Sequence, residues 1–173
     1  MRKIVCYFCL TLALGCSASP TKENADYYTL RGYHDYSIKI VQYKVKEGEP
    51  WAFLRMGVAY ELGHGVKKDY KAAISWYEKT AFASRKNIRE TTEGFIALYH
   101  LANLYLEGKG VAKNPEKAYE YMEIVMEHTK GKPLLYCCEN DNGGGRFIAK
   151  EMISHTHYRA EVMAKKFQKQ NSQ

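Results

Sequence analysis

Residues 52–73 read AFLRMGVAYELGHGVKKDYKAA, and residues 97–118 read ALYHLANLYLEGKGVAKNPEKA. The two stretches align without a gap at an offset of 45 residues. The pairs that are identical in both copies include Ala52/Ala97, Tyr60/Tyr105, Gly63/Gly108, Gly65/Gly110, Val66/Val111 and Ala73/Ala118. Self-similarity at an interval of about 20–50 residues is typical of stacked repeat units. The chain is therefore predicted to contain several copies of one structural unit.

Pairs of glycines predict that this unit is a helix–turn–helix. The stretch before each pair is rich in apolar residues over about three helical turns. The first glycine of a pair lies where a left-handed residue ends a helix, and the second lets the chain reverse. The repeat turns are therefore assigned to Gly63, Gly65, Gly108 and Gly110. Gly65 and Gly110 are expected to have positive φ.

A second helix is predicted after each turn. The side chains of Asp69 and Asn114 can accept hydrogen bonds from the unpaired N–H groups of a helix start. Pro115 follows at the first helical position, where the missing N–H of proline is harmless. The small side chains of Ala73 and Ala118 then let the two helices of a unit approach closely.

A weaker copy of the unit lies upstream, over residues 26–48. Asp35 precedes Asp69 by 34 residues, and a tyrosine follows each of them. We therefore predict a helix over 36–47, although its isoleucine, valine and tyrosine content also suits a strand. The polar stretch at 84–93 lengthens the next interval to 45 residues.

The whole pattern, with its Gly-x-Gly-Val element, resembles the Sel-one-like repeats (SLR), which are relatives of the tetratricopeptide repeats (TPR). Residues 51–83 and 96–129 carry the resemblance strongly, and residues 26–48 carry it weakly. The resemblance implies an all-α fold, a short right-handed α-solenoid of helix-turn-helix (SLR/TPR-like) repeats.

The segment after the second clear copy is predicted to be a loop followed by a helix. Residues 140–145 read NDNGGG, which is a turn composition. We predict a loop over 131–146 and a C-terminal capping helix over 147–170, because the last repeat would otherwise expose its apolar face. Cys137 and Cys138 lie in this loop, where an oxidising compartment would allow a disulfide.

The first residues resemble an export signal. Two basic residues precede an uncharged run of eleven residues, too short for the roughly 20-residue helix that spans a membrane but suited to a secretory signal. Residues 12–16 read LALGC, which resembles a bacterial lipobox with an acylated cysteine. The resemblance implies a signal peptide over 1–15, lipidation of Cys16 and a tether over 16–25.

This resemblance also implies a location, namely the bacterial cell envelope as an outer membrane lipoprotein facing the periplasm, because Ser17 rather than aspartate follows the cysteine. Ordinary cleavage after Ala18 would instead give a soluble periplasmic protein. The predicted segments are 1–15 (signal peptide), 16–25 (tether), 26–48 (degenerate repeat), 49–95 (first clear repeat and extended connection), 96–130 (second clear repeat), 131–146 (loop) and 147–170 (capping helix).

Short motifs of common catalytic and phosphate sites are absent from the sequence. It has no Gly-x-Ser-x-Gly elbow, no His-Glu-x-x-His helix and no Walker loop. We therefore predict no enzyme activity, no cofactor and no metal. The net charge of +7, or +5 without the two basic residues of the leader, is too evenly spread to indicate nucleic acid binding.

Binding of another protein is the default function of a helical array, which offers a surface and no preset reaction. The first helices of the repeats carry a stripe whose chemistry differs between the copies, so packing does not dictate it. We predict that this stripe binds the partner: Trp51, Arg55, Val58, Leu62, Ile96, His100, Asn103 and Glu107. The alternative is that Trp51 and Ile96 fill the seam with the preceding helix. Alanine at Trp51 or Arg55 is expected to weaken binding without unfolding the chain.

Short lipoproteins with these repeats resemble immunity proteins of type VI secretion systems. This implies neutralisation of a periplasm-acting effector such as a phospholipase. An envelope scaffold or adaptor, or a host-interaction protein, fits the same features. A β-lactam-binding or hydrolysing enzyme is a more distant alternative, since the relatives linked to that activity carry regularly spaced cysteine pairs that this chain lacks. The expected partners are a protein and, through the lipid, a membrane.

Overall fold

The computed structural model describes residues 20–82, 91–130, 133–137, 146–148 and 150–171. Over these residues the chain forms seven α-helices and one two-stranded antiparallel sheet. The helices are α1 (Lys22–Leu30), α2 (His34–Glu47), α3 (Pro50–Leu62), α4 (Tyr70–Phe82), α5 (Thr92–Glu107), α6 (Pro115–Thr129) and α7 (Lys150–Asn171). The strands are β1 (Leu134–Cys137) and β2 (Arg146–Ile148).

Successive helices pack in pairs, and the pairs stack along the chain. Helix α1 packs on α2, α3 on α4 and α5 on α6, each pair contacts the next, and α7 covers α6. The predicted fold class, an α-solenoid of helix pairs with a final capping helix, is confirmed. Among the described residues, no helix combines the length and the apolar character needed to cross a membrane.

The ends of the helices follow the local signals in the sequence. The Asp69 carboxylate accepts hydrogen bonds from the backbone N–H groups of Lys71 and Ala72, at 2.9 and 3.1 Å. The Asn114 side chain accepts one from Lys117, at 3.0 Å. Both predicted helix caps are therefore confirmed. The four turn glycines adopt positive φ: Gly63 79°, Gly65 70°, Gly108 69° and Gly110 73°.

The second glycine of each turn also makes a contact that no side chain would permit. A β-carbon at Gly65 would lie 2.7 Å from the carbonyl oxygen of His34, at the start of α2. One at Gly110 would lie 2.6 Å from Cβ of Tyr70, at the start of α4. Each turn therefore seats against the beginning of the second helix of the preceding pair. This contact joins neighbouring repeats and explains why both copies have glycine there.

The closest approach within a repeat differs between the two copies. A β-carbon at Gly57 would lie 2.5 Å from Cε1 of the Tyr77 ring, so α3 and α4 meet through this glycine. In the second copy the matched residues are Ala102 and Met122, and both are fully buried. Methionine is unbranched and flexible, so it leaves room for the alanine methyl group. Gly57 and Tyr77 contact each other in the first copy, and both are replaced in the second copy.

The N-terminal part of the array begins earlier than predicted. Helix α1 starts at Lys22, inside the segment 16–25 that we expected to be a tether. The Thr21 side chain accepts a hydrogen bond from the backbone N–H of Asn24 at 3.3 Å and so caps this helix. Helix α2 is a helix and not a strand, and it begins at His34, two residues before the predicted range.

The segment predicted to be a loop over 131–146 contains a strand. Strand β1 pairs with β2, with Leu134 opposite Ile148, and both of these side chains are buried in the main core. Phe147 therefore belongs to a strand rather than to the capping helix, which begins at Lys150. Strands of three or four residues are too short for a period-two pattern to be visible, and their pairing is non-local.

Candidate protein-binding surface

The stripe predicted on α3 is mostly closed. Trp51 is half-buried and packs against the cluster that α2 and α3 form, as the alternative interpretation proposed. Arg55 and Val58 are each only 9% exposed. Leu62, at the end of the helix, is 49% exposed. The expectation of an open binding wall is therefore wrong for Arg55 and Val58, because α1 and α2 cover this face of α3.

Arg55 is held by a buried ion pair. Its guanidinium donates to the carboxylate of Asp26 in α1, and Asp26 is only 2% exposed. Two buried charges of opposite sign satisfy each other, and either one alone would be costly. Arg55 therefore joins α1 to α3 and has a structural role, in contrast to the binding role that we predicted.

The stripe predicted on α5 is divided in the same way. Ile96 is 1% exposed and belongs to the main core. The Asn103 side chain donates a hydrogen bond to the carbonyl oxygen of Tyr99 in its own helix, at 2.9 Å. Glu107 is exposed and forms an ion pair with Lys109. The expectation of an open wall is therefore wrong for Ile96, and only the end of the stripe faces solvent.

His100, the remaining residue of that stripe, belongs to a polar network between α3, α4 and α5. Its Nδ1 lies 2.9 Å from Oε2 of Glu61, and its ring stacks on Tyr77 with centroids 4.9 Å apart. The Tyr77 hydroxyl donates to the same carboxylate. Burial alone would raise the pKa of Glu61, but the hydrogen bond and charge of His100, with the Tyr77 hydroxyl and Lys109, lower it below its ordinary value. Glu61 is therefore ionised at neutral pH, and the network holds the two repeats together.

Part of the surface of α5 is packed against another element of the chain. Strand β1 lies against α5, and Leu134 is 4% exposed within the core that α5 forms. A surface of the first helices that is already packed against β1 is not free for another protein. The candidate binding surface must therefore be sought elsewhere on the array.

An open groove lies between α2 and α4. It encloses about 420 Å³, which is enough for one or two large side chains. The name α2–α4 groove is used here for the space lined by Lys39, Gln42, Tyr43, Val45, Lys46, Met56 and Trp76. Tyr43 is 46% exposed, whereas Met56 is buried and forms part of the floor.

Sequence reasoning missed this groove, although a signal was present. Lys39, Gln42, Tyr43 and Lys46 follow the spacing i, i+3, i+4, i+7, so they lie on one face of α2. That face mixes two cations with an aromatic ring, an unusual composition for a purely solvated surface. The other wall comes from Trp76 on α4, 30 residues beyond Lys46, and only the stacking of the pairs brings the two together.

A cation lies beside the groove, against the rings of Trp76 and its neighbour Phe53. The Lys79 ammonium lies 4.9 Å from the centroid of the Trp76 ring and 4.4 Å from that of Phe53. The two rings stack on each other with centroids 6.0 Å apart. An ammonium over an aromatic face is attracted by the ring and still keeps donors for a ligand. The groove therefore combines apolar area with positive charge.

Three further predictions concern a metal site, lipidation and a disulfide. Within it, no group of three or more histidine, cysteine, aspartate or glutamate residues is arranged to hold a metal ion. Cys16 and Cys138 lie outside the described residues, as does the side chain of Cys137. The predictions of lipidation and of a disulfide therefore stay predictions.

Two segments of the chain match a known repeat family. The pattern of the Sel1 repeat family matches residues 54–81 and 96–124, which fall within α3–α4 and α5–α6. A component (HRD3B) of an ERAD-associated E3 ubiquitin-protein ligase from Arabidopsis thaliana is 30% identical over 111 residues, which cover 62% of this chain and 16% of that protein. The chain thus spans about a sixth of the length of this curated relative.

Two solved structures match the chain. A protective antigen of uropathogenic Escherichia coli strains, which displays an SLR fold, has a TM-score of 0.51 at 18% identity and covers 84% of this chain and 31% of its own. A Sel1 repeat protein from Oxalobacter formigenes has a TM-score of 0.47 at 21% identity, covering 66% and 47%. The first of these likenesses concerns the fold alone.

The repeat family is associated with binding. Sel1 repeat proteins generally mediate protein–protein interactions, and they are typically non-catalytic scaffolds. The segments that match the family coincide with α3–α4 and α5–α6, where the sequence predicts the two clear repeats. The glycine turns of the same two units seat against the preceding helix pair. Residues 54–81 and 96–124 of the chain are therefore two segments that match the Sel1 repeat.

Proposed function

We propose that this protein is a lipid-anchored component of the bacterial cell envelope that binds another protein through its helical-repeat surface, at the α2–α4 groove. The observation that carries the proposal is the groove itself, an open space with aromatic walls and cationic rims on an array whose first helices are largely buried. The general activity of Sel1 repeat proteins supports it.

The leader supports the envelope location. Cys16 lies six residues before Lys22, where α1 begins. A lipid on Cys16 would therefore hold the first helix within about 20 Å of the membrane, because an extended chain spans at most about 3.3–3.6 Å per residue. Cleavage after Ala18 would leave the same array soluble in the periplasm, with the same groove available.

The proposal has two forms, which differ in the kind of protein that is bound. In the first, the protein is an immunity protein that neutralises a secreted effector acting in the periplasm, such as a phospholipase. In the second, it is an envelope scaffold or adaptor, or a host-interaction protein. The resemblance of short Sel-one-like lipoproteins to type VI immunity proteins favours the first form.

One experiment tests anchor and binding together. The wild-type chain and Cys16→Ala are produced with a C-terminal tag in a bacterial host that processes lipoproteins, labelled with radioactive palmitate, and treated with a chemical crosslinker in intact cells. We expect palmitate on the wild type only, because the thiol of Cys16 is the acceptor. We also expect a crosslinked protein adduct whose identity, effector or envelope component, is read by mass spectrometry.

The palmitate label tests the anchor and the crosslinked adduct tests the binding, so each can be contradicted without the other. Undiminished palmitate on Cys16→Ala contradicts the anchor and leaves binding standing. A wild-type chain that carries palmitate but yields no crosslinked protein adduct contradicts the binding function. The tag alone, exported to the same compartment, is the control for non-specific adducts.

A further inference from the structure

The place between α4 and α6 is the repeat equivalent of the α2–α4 groove, and the two differ in one aromatic contact. Between α4 and α6, the ring of Phe82 lies 6.0 Å from that of Tyr121. Tyr121 is the repeat match of Trp76, at the offset of 45 residues. In the α2–α4 groove the residue that matches Phe82, at the offset of 34, is Gly48, which has no side chain. The aromatic contact that is present between α4 and α6 is therefore missing between α2 and α4.

The rims of the two grooves also differ in charge. Lys39 and Lys46 on α2 are exposed, and Lys79 on α4 lies over Trp76. Throughout the described ranges, none of these three ammonium groups lies within 4 Å of a carboxylate oxygen, whereas Lys44 forms an ion pair with Glu47 at 2.7 Å. At the second groove the match of Lys79 is Ile124, which carries no charge.

We infer that the α2–α4 groove binds an acidic segment of the partner protein that inserts one aromatic side chain over Trp76, where Phe82 would lie in the next repeat. Carboxylates on both sides of that aromatic residue would then reach Lys39, Lys46 and Lys79. This inference rests on the proposed binding function and states the chemistry of the partner. The phenylalanine that is missing from this groove accounts for the aromatic residue of the partner, and the lysines without a carboxylate partner account for its negative charge.

Charge pairs at the rim of such a groove mainly steer the encounter and select the partner, whereas the buried aromatic contact anchors it. Both parts are needed, because Val45, Met56 and Trp76 offer apolar area that an acidic side chain alone would not fill. A peptide that has only one of the two features should therefore bind more weakly than a peptide that has both.

The probe is a fluorescein-labelled peptide, blocked at both ends, in which glutamates flank a single phenylalanine. Binding is measured by fluorescence anisotropy to the full mature chain. We expect saturable binding that weakens about tenfold or more when the phenylalanine becomes alanine or when the glutamates become glutamines. Emission from Trp76, isolated in a Trp51→Phe background, should shift on binding.

The protein variants form a matched pair. Lys46→Glu with Lys79→Glu reverses one charge on each rim, and Lys67→Glu with Lys166→Glu changes the net charge equally at exposed positions on the 63–69 turn and on α7. We expect the first double variant to lose binding about tenfold or more and the second to bind within about twofold of wild type. Thermal unfolding of both variants checks that they are folded.

Several results would overturn the inference. Equal loss in both double variants would mean that net charge alone attracts the peptide. Equal binding of the alanine peptide would remove the aromatic anchor. Sedimentation of wild type but not Lys46→Glu/Lys79→Glu with phosphatidylglycerol vesicles, without peptide binding, would assign the groove to a membrane surface. Concentration-dependent dimerisation lost in the same variant would assign it to a second copy of this chain.

The proposed function is judged separately. If the crosslinked partner still binds Lys46→Glu/Lys79→Glu as tightly as wild type, the function stands and the assignment of the groove is wrong. If no partner is crosslinked but the acidic aromatic peptide binds as expected, the groove chemistry stands and the native binding function fails.

Discussion

Replacing Arg55 with alanine should lower the free energy of unfolding by about 3–5 kcal/mol, because the buried carboxylate of Asp26 would lose the counter-charge of the guanidinium. Asp26 is 2% exposed and lies in α1, whereas Arg55 lies in α3. The loss should appear in urea or thermal unfolding of the purified chain. It should also weaken the attachment of α1 to α3.

A double variant separates the pair from the packing around it. Asp26→Leu with Arg55→Met removes both charges and keeps most of the volume, so it should lose much less stability than Arg55→Ala. A loss of under about 1 kcal/mol for Arg55→Ala, the range of exposed pairs, would contradict a buried ion pair. The same result would reopen the prediction that Arg55 faces a partner.

Valine at Gly110 should be nearly as damaging. A left-handed φ costs a residue with a β-carbon about 1–2 kcal/mol, and overpacking a tight contact adds about 1–3 kcal/mol. The β-carbon would lie 2.6 Å from Cβ of Tyr70 and 2.8 Å from its backbone carbonyl carbon. Backbone atoms cannot move aside as the end of a side chain can. We therefore expect a loss of about 2–5 kcal/mol, and a similar loss for Gly65→Val against His34.

Gly32 provides the control for this prediction. Its φ is +78°, but a β-carbon there would have nothing within 4 Å. Gly32→Val therefore carries the conformational strain without the clash and should lose clearly less stability than Gly110→Val. Equal losses at the two positions would show that the turn does not seat against α4, and no loss at Gly65 or Gly110 would contradict the repeat geometry itself.

The features that the sequence predicts well are the local ones. A left-handed glycine at Gly63 or Gly108, and a side chain that caps a helix at Asp69 or Asn114, act within a few residues of their own position. Their repetition at a fixed offset then indicates stacking. The fold class follows from these signals without any knowledge of distant contacts.

The candidate site could not be predicted in the same way because it depends on contacts between distant elements. The partner of Arg55 is Asp26, 29 residues away in a helix that we did not predict. Strand β1, which packs against α5, is too short to show a pattern. The difference between the matched residues Arg55 and His100 predicts freedom from packing, but each of them has its own partner, Asp26 for Arg55 and Glu61 for His100.

The groove shows the opposite case, in which a comparison between repeats gives information that neither repeat gives alone. Gly48 and Phe82 occupy matched positions, and only the structure shows that Phe82 contacts Tyr121. Gly48 ends α2 with a φ of 80° as a helix cap, and its lack of a side chain has a second effect. It leaves Trp76 accessible, and that space is the basis of the proposed binding.

The most direct test of the account is a photo-crosslink at the groove in living cells. Tyr43, 46% exposed on the groove wall, is replaced by p-benzoylphenylalanine in one strain, and Tyr158, 64% exposed on α7, in another. The account predicts an ultraviolet-dependent adduct with one partner protein from position 43, lost on adding Lys46→Glu/Lys79→Glu, and none with that partner from position 158. An adduct with the partner from position 158 alone would contradict it.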